Sequence, residues 1–425
     1  MTNEWPVDTL DVDSLLAEGW SAKPFQQFIL KLHGQCNLSC DYCYMYQFSD
    51  QLLLSQSKAM PPALIRQSCR RIAEHVTHHG LARIEVSLHG GEPLLAGSSG
   101  LNSVVAELRR HIPDTTVVDL VLTTNGILLT EAILDLLLEH NIQVGVSLDG
   151  NEETHDKHRR YRDGRGSHAR VVAGLGLLTS DRYRTLFAGL LCVIDVDEDP
   201  LSTYESLLKF APPSVDFLLP HGNWTEPPPR WSEDEAPYGR WLITVFDRWF
   251  DVPEQETEVR LFAEIINLIL GGQSRTESVG TSPVALITVN TDGSMEQVDT
   301  LRSAYPGAPT TGLNILTNSF DDALHHPAVV ARQIGMAALA DTCQQCDIVR
   351  ICGGGHYAHR YRQGSGFRNQ SVYCADLTLL INHIADRLRR ALTEDITSQE
   401  ARCHSRPDGS PSRPPSPGGS HPAGV

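Results

Sequence analysis

The sequence predicts an α/β fold: six strand–helix units forming a parallel sheet, followed by a smaller second domain. Three observations lead there. Apolar runs rich in Val, Ile, Leu and Phe alternate with amphipathic stretches between residues 25 and 224. The connections between them are short, as successive parallel strands with crossover helices require. Residue types able to carry chemistry recur at the C-terminal ends of the predicted strands, where such sheets bind ligands.

In chain order, residues 1–24 are a short polar N-terminal extension. Strands are expected at 25–32, 83–88, 117–122, 143–148, 185–194 and 215–219. Helices are expected at 62–78, 102–111, 131–140, 169–179 and 201–210, with Pro61 and Pro62 suiting a helix start and Thr130 an N-cap. Residues 225–283 begin with the turn-rich Pro227-Pro228-Pro229 and continue as two helices, 235–250 and 256–270, stopped by Gly271 and Gly272. Residues 284–392 open with a hairpin, 284–290 and 294–298, turning at Thr291-Asp292-Gly293, and end in a helix at 375–392. Residues 393–425 are read as a disordered Pro-, Gly- and Ser-rich tail, because such a composition, densest from His404 on, cannot bury enough surface to offset ordering entropy. No internal repeat is visible.

The first predicted strand runs into Cys36-Asn-Leu-Ser-Cys40-Asp-Tyr-Cys43, a C-x3-C-x2-C loop. Three thiolates on one loop can hold three irons of a four-iron cluster, leaving the fourth iron open. They can equally hold zinc if a fourth ligand such as His33 closes the site. A second set, Cys343, Cys346, Cys352 and Cys374, can close a metal site completely, as a zinc ribbon or as a cluster. Cys69 and Cys192 read as small buried hydrophobes and Cys403 as incidental.

The C-x3-C-x2-C loop with Tyr42 before its last cysteine resembles the signature of radical S-adenosylmethionine (SAM) enzymes. Gly90-Gly91-Glu92-Pro93, Thr124-Asn125-Gly126, Ser147 with Asp149, and the arginine-rich stretch 159–170 follow in the order that family requires. The resemblance implies a partial (β/α)6 TIM-like barrel and a 4Fe–4S cluster on Cys36, Cys40 and Cys43. It implies SAM contacts from Tyr42, Gly90, Gly91, Glu92, Asn125, Ser147, Asp149 and Arg162. In that family SAM is cleaved to a 5′-deoxyadenosyl radical that abstracts a substrate hydrogen.

The second cysteine set resembles the SPASM domain, a C-terminal extension of radical SAM peptide maturases that carries auxiliary 4Fe–4S clusters. His356 stands where a further cysteine is expected, and residues 280–300 contain none. One auxiliary cluster is therefore expected, two clusters per chain in all.

By motif the chain is similar to the FxsB-like subgroup, through Leu218 to Trp224, Thr291 to Glu296, Val298-Asp299 and Gly353 to Tyr361. That resemblance implies a maturase of a ribosomally made precursor peptide, joining an aromatic ring to a side-chain β-carbon as a cyclophane. Glu296, Asp299, His221 and His356 are candidate bases. An electron donor such as flavodoxin or ferredoxin is an expected partner. Other SPASM-type oxidations are the alternatives: a thioether or ether cross-link, or formylglycine formation of the sulfatase-maturing kind. The missing second auxiliary cluster weighs against the last. A non-catalytic iron–sulfur or zinc scaffold is the reading from another class.

Composition narrows the partners. A net charge of −17, from 35 basic and 52 acidic residues, argues against a nucleic-acid surface. No 18-residue apolar run exists and the N-terminus lacks a signal pattern, so no membrane span and a cytoplasmic location are expected. In that compartment ten cysteines favour metal or redox roles over disulfides.

Overall fold

A computed structural model describes residues 5–48, 50, 51, 57–232 and 235–404. The chain divides into two compact units, Met1–Ile384 and Ala385–Val425. The sites argued below lie in the first.

The six predicted strands form as β1 (Gln27–His33), β2 (Arg83–Gly90), β3 (Val117–Thr124), β4 (Gln143–Ser147), β5 (Phe187–Val193) and β6 (Ser214–Leu218). Each is parallel to the next. After the short α1 (Val12–Ala17), the crossovers are α2 (Pro62–His79), α3 (Gly97–His111), α4 (Glu131–Glu139), α5 (Glu152–His158) with α6 (His168–Leu178), and α7 (Pro200–Leu208). Helix α2 begins at Pro62, and Thr130 accepts a hydrogen bond from the Ile133 amide as the N-cap of α4. Phe28, Leu30, Val86, Leu88, Leu122, Val144, Val146 and Leu190 are buried along the strands. Their burial is the main force that closes the sheet against its helices.

Further on come α8 (Pro237–Phe250), the two-residue β7 (Glu258–Val259) and α9 (Arg260–Ile269). The hairpin forms as β8 (Leu286–Val289) and β9 (Ser294–Glu296), followed by β10 (Thr310–Asn314). Its turn places Gly293 at φ 82°, a conformation that favours glycine. The hairpin does not stand apart from the barrel. β8 pairs in parallel with β1, giving one open ten-stranded sheet in the order β10-β9-β8-β1-β2-β3-β4-β5-β6-β7. The short helices α10 (Phe320–Leu324), α11 (Pro327–Val330), α12 (Asp341–Gln344) and α13 (Val349–Cys352) lead to α14 (Cys374–His404). Residues 393–404, expected to be disordered, are instead helical, continuing the helix that begins at Cys374, and residues 405–425 lie outside the described residues. No described helix is long and apolar enough to cross a membrane.

Candidate active site at the carboxyl ends of the strands

The loop after β1 carries Cys36, Cys40 and Cys43, all partly buried. It is pinned from below by β2: the Gly91 and Glu92 amides donate to the carbonyls of His33 and Gln35 at 2.8 and 2.9 Å. Two glycines permit that approach. A Cβ on Gly90 would come within 2.2 Å of the His33 carbonyl oxygen, and one on Gly91 within 2.1 Å of the Tyr46 hydroxyl. From the side, Asn125 Nδ2 donates to Asn37 Oδ1 at 2.7 Å and approaches Cys36 Sγ at 3.6 Å.

The three cysteines line a cavity of about 190 Å³ built by the loop after β1 and the carboxyl ends of β2 to β6. Tyr42 comes from the cysteine loop; His89 and Gly90 from the end of β2, with Gly91 and Glu92 just past it; Thr124 from the end of β3, with Asn125 just past it; Ser147 from β4. Leu191 and Val193 of β5, Leu218 at the end of β6 and His221 beyond it extend the wall. Burial pushes the Cys36 thiol up to about 11 and the Cys40 thiol up to about 12. Bare thiolates there are costly, so a cationic metal is the partner that suits this donor set.

The predicted SAM residues divide. Tyr42, Gly90, Gly91, Glu92, Asn125 and Ser147 face the cavity. Asp149 does not. It is buried behind the wall, where Arg159 Nε donates at 2.8 Å, the Val193 amide donates at 3.0 Å, and the Tyr42 hydroxyl donates as well. Burial opposes its ionisation, but Arg159 outweighs that and holds the carboxyl below its usual range. Arg162 is exposed, contacting only the Cys36 carbonyl at 3.4 Å, and the arginine that lines the cavity is Arg159. Glu92 is buried and accepts from Thr124 Oγ1 at 2.8 Å and from the Asn125 and Leu94 amides at 2.9 and 3.0 Å. Burial pushes its carboxyl up to about 7 despite those donors.

The four base candidates also separate. Glu296 and Asp299 are buried in an ion network with Lys31, Arg302 and Asp50, and line neither this cavity nor its neighbour. Asp299 reaches toward the cavity only through His89, its Oδ2 3.5 Å from His89 Nδ1. His221 faces both this cavity and a larger one of about 600 Å³, and His356 lines the larger one. The two cavities share Tyr44, Leu218, Leu219 and His221. Burial drives the His221 imidazole down to about 3, so it is neutral at pH 7. His359 adds a third ring, its Nε2 3.3 Å from His221 Nδ1. His89, Arg159, Tyr44 and His359 were not singled out from sequence. His89 is concealed in a strand pattern, and Arg159 among neighbouring arginines.

Cys343, Cys346, Cys352 and Cys374 line a separate small cavity, bringing α12, α13 and the start of α14 together. Its other walls include Ile348, Val349 and Gly354. Burial pushes the Cys352 thiol up to about 11, so this donor set too suits a metal centre. Cys69 and Cys192 are fully buried, as expected of small hydrophobes.

Residues 30–207 match the family profile of the Radical SAM superfamily. The chain is 27% identical over 362 residues to a serine-type anaerobic sulfatase-maturating enzyme of Klebsiella aerogenes, covering 83% of this chain and 84% of that one. It is 21% identical over 370 residues to the cysteine-type enzyme of Clostridium novyi strain NT, covering 83% and 93%. Among solved structures, native anSMEcpe with bound AdoMet superposes with a TM-score of 0.75 at 20% identity, covering 86% of this chain and 98% of that one. Streptococcus suis SuiB bound to its precursor peptide SuiA gives 0.57 at 12% identity, covering 85% and 78%. The chain therefore shares the α/β fold of these structures, an open, mostly parallel sheet followed by a C-terminal auxiliary region. The similarity falls to the sulfatase-maturating type, whereas the sequence reading favoured the cyclophane-forming subgroup.

Proposed function

We propose that this radical SAM enzyme oxidises a side chain of a peptide or protein substrate at its β-carbon, in the manner of formylglycine formation from Ser or Cys. The observation that carries this reading is the pair of adjoining cavities: a cysteine-lined chamber meeting a larger one at Tyr44 and His221. The larger chamber has room for a peptide segment, with its reactive residue at the shared wall. Relatives named as serine-type and cysteine-type sulfatase-maturating enzymes, matched along more than four-fifths of the chain, support the same reaction class.

Cys36, Cys40 and Cys43 would hold the SAM-binding cluster, and Cys343, Cys346, Cys352 and Cys374 the auxiliary one. When bound, SAM and these clusters supply a hydrogen-abstracting radical and an acceptor for the second electron. The chain's own residues do the rest. Glu92 and the backbone of Gly90 and Gly91 attract the ammonium end of SAM. Arg159, fixed by Asp149, offers a positive charge to its carboxylate. The substrate's hydroxyl or thiol proton goes to His89, whose Nδ1 side is backed by Asp299 and whose ring faces the cavity. A flavodoxin or ferredoxin is the proposed electron donor.

The test is incubation of reduced enzyme with SAM and a Ser- or Cys-containing peptide, followed by mass spectrometry and capture with an aldehyde reagent. Oxidation of Ser removes two hydrogens and leaves a capturable aldehyde. A cyclophane removes two hydrogens and leaves none, and that result would replace the proposal. One observation favours this second reading: among the described cysteines outside the first loop, only four line a metal-type cavity.

Two further results are expected. His89→Gln should lower peptide turnover about 10²-fold while leaving SAM cleavage near wild type. SAM affinity should rise as pH passes upward through about 7, because Glu92 ionises there and its anion attracts the SAM ammonium. Dissociation constants taken from about pH 6 to 8 should flatten in Glu92→Gln, which carries no titrating charge.

A further inference from the structure

We propose that His75, His79 and Asp321 form a divalent-metal site of the zinc class, remote from both cysteine sets. His75 and His79 are spaced i, i+4 on α2, so their rings project from one face of the helix. Asp321 arrives from the first turn of α10, on the far side of β10 in sequence. The three offer ligand atoms within 4.8 Å of one another. His75 Nδ1 lies 2.6 Å and His79 Nε2 2.9 Å from Asp321 Oδ1. His78, stacked on His79 with centroids 4.6 Å apart, holds the other carboxylate oxygen from outside, its Nδ1 3.1 Å away, and is not one of the three converging ligands.

The chemistry of the donors selects the ion. Two imidazole nitrogens with one carboxylate oxygen, the open positions taken by water, suit Zn²⁺, Ni²⁺ or Cu²⁺ and give Mg²⁺ or Ca²⁺ too few oxygens. No thiolate takes part, so the site differs in ligand type from the iron–sulfur centres. His75 is 1% exposed and wedged among Phe25, Phe28 and Phe320, which fixes its ring, whereas His79 and Asp321 remain 22% and 29% exposed and give an ion access. The site ties the first crossover helix to the segment after β10. The same two pieces already meet where Gln67 Nε2 and Arg71 Nε donate to the Ile315 carbonyl at 3.2 and 3.1 Å. The ion would clamp that junction and would not touch the reaction.

The experiment uses cluster-loaded enzyme titrated with Zn²⁺ alone. It reads bound zinc per chain, the zinc-edge absorption spectrum and the thermal midpoint with and without a chelator. The expected result is one zinc with nitrogen and oxygen neighbours only at about 2.0–2.2 Å, and a midpoint that falls when it is removed. His79→Gln and Asp321→Asn, both at partly exposed positions, should each weaken zinc binding at least about tenfold with iron content unchanged. Absence of zinc, sulfur neighbours in the spectrum, or unchanged affinity in both variants would overturn the site.

Discussion

Cys43→Ala is expected to abolish SAM cleavage and to remove about half of the bound iron, since one of two four-iron clusters is lost. The three loop cysteines share one cavity wall, and burial holds their thiols well above the usual range. Only a bound metal makes thiolates of them, and with two ligands left the loop has too few to retain a cluster. Iron analysis and chromatographic assay of 5′-deoxyadenosine check both parts. Cys346→Ala supplies the contrast. It should also lose about half of the iron, yet still cleave SAM, because its cavity is separate from the first. Its defect should appear in peptide turnover. Equal loss of SAM cleavage in both variants would refute the division of labour between the two cysteine sets.

Arg302→Leu is expected to destabilise the fold by about 3–5 kcal/mol, read as a drop in the denaturant midpoint at unchanged slope. Arg302 is fully buried, with Asp50 at 2.9 Å on one side and Glu296 on the other. Lys31, equally buried on β1, pairs with Asp299 and lies 3.8 Å from Glu296. Two fixed cations thus serve three carboxylates, Asp50, Glu296 and Asp299, in a space closed to water. Leucine leaves the shape roughly filled but strands two acids without their nearest cation. Arg302→Lys should fall between, because the charge returns without the fork that reaches both partners. The network also supports the site, since Asp299 is the carboxylate behind His89. Burial opposes ionisation of Asp299, but Lys31 outweighs it and holds the carboxyl below its usual range. Its stabilising contribution is therefore present above the ordinary carboxylate range and fades as pH falls through its lowered value.

The strands of the barrel were legible because each is a short apolar run punctuated by turn residues, and all six formed within a few residues of expectation. Helix α5 was missed because Glu152 to His158 is polar on nearly every side and has no apolar stripe to detect. The attachment of β8 to β1 was also hidden, since periodicity says nothing about pairing between distant segments. At the site, spacing alone located the cysteines and the Gly-Gly-Glu motif. It did not separate Arg159 from Arg162, because orientation rather than sequence distance decides which arginine reaches the wall. Asp149 likewise sat in a recognisable strand-end pattern, yet its carboxylate turns away from the cavity to bind Arg159. His75 and His79 escaped notice because histidines on an amphipathic helix read as ordinary polar positions until a second element brings a carboxylate to them.

The parallel pairing of β1 with β8 has a consequence for biosynthesis. The two strands are separated by about 250 residues of chain. At a translation rate of about 5–20 residues per second, one side of β1 waits tens of seconds for its partner to be made. Throughout that interval a nascent chain with most of its barrel formed displays an open row of backbone donors and acceptors. Production is therefore expected to depend on whatever shields that edge in the cell, and a chain ending after β6 would keep it bare for good.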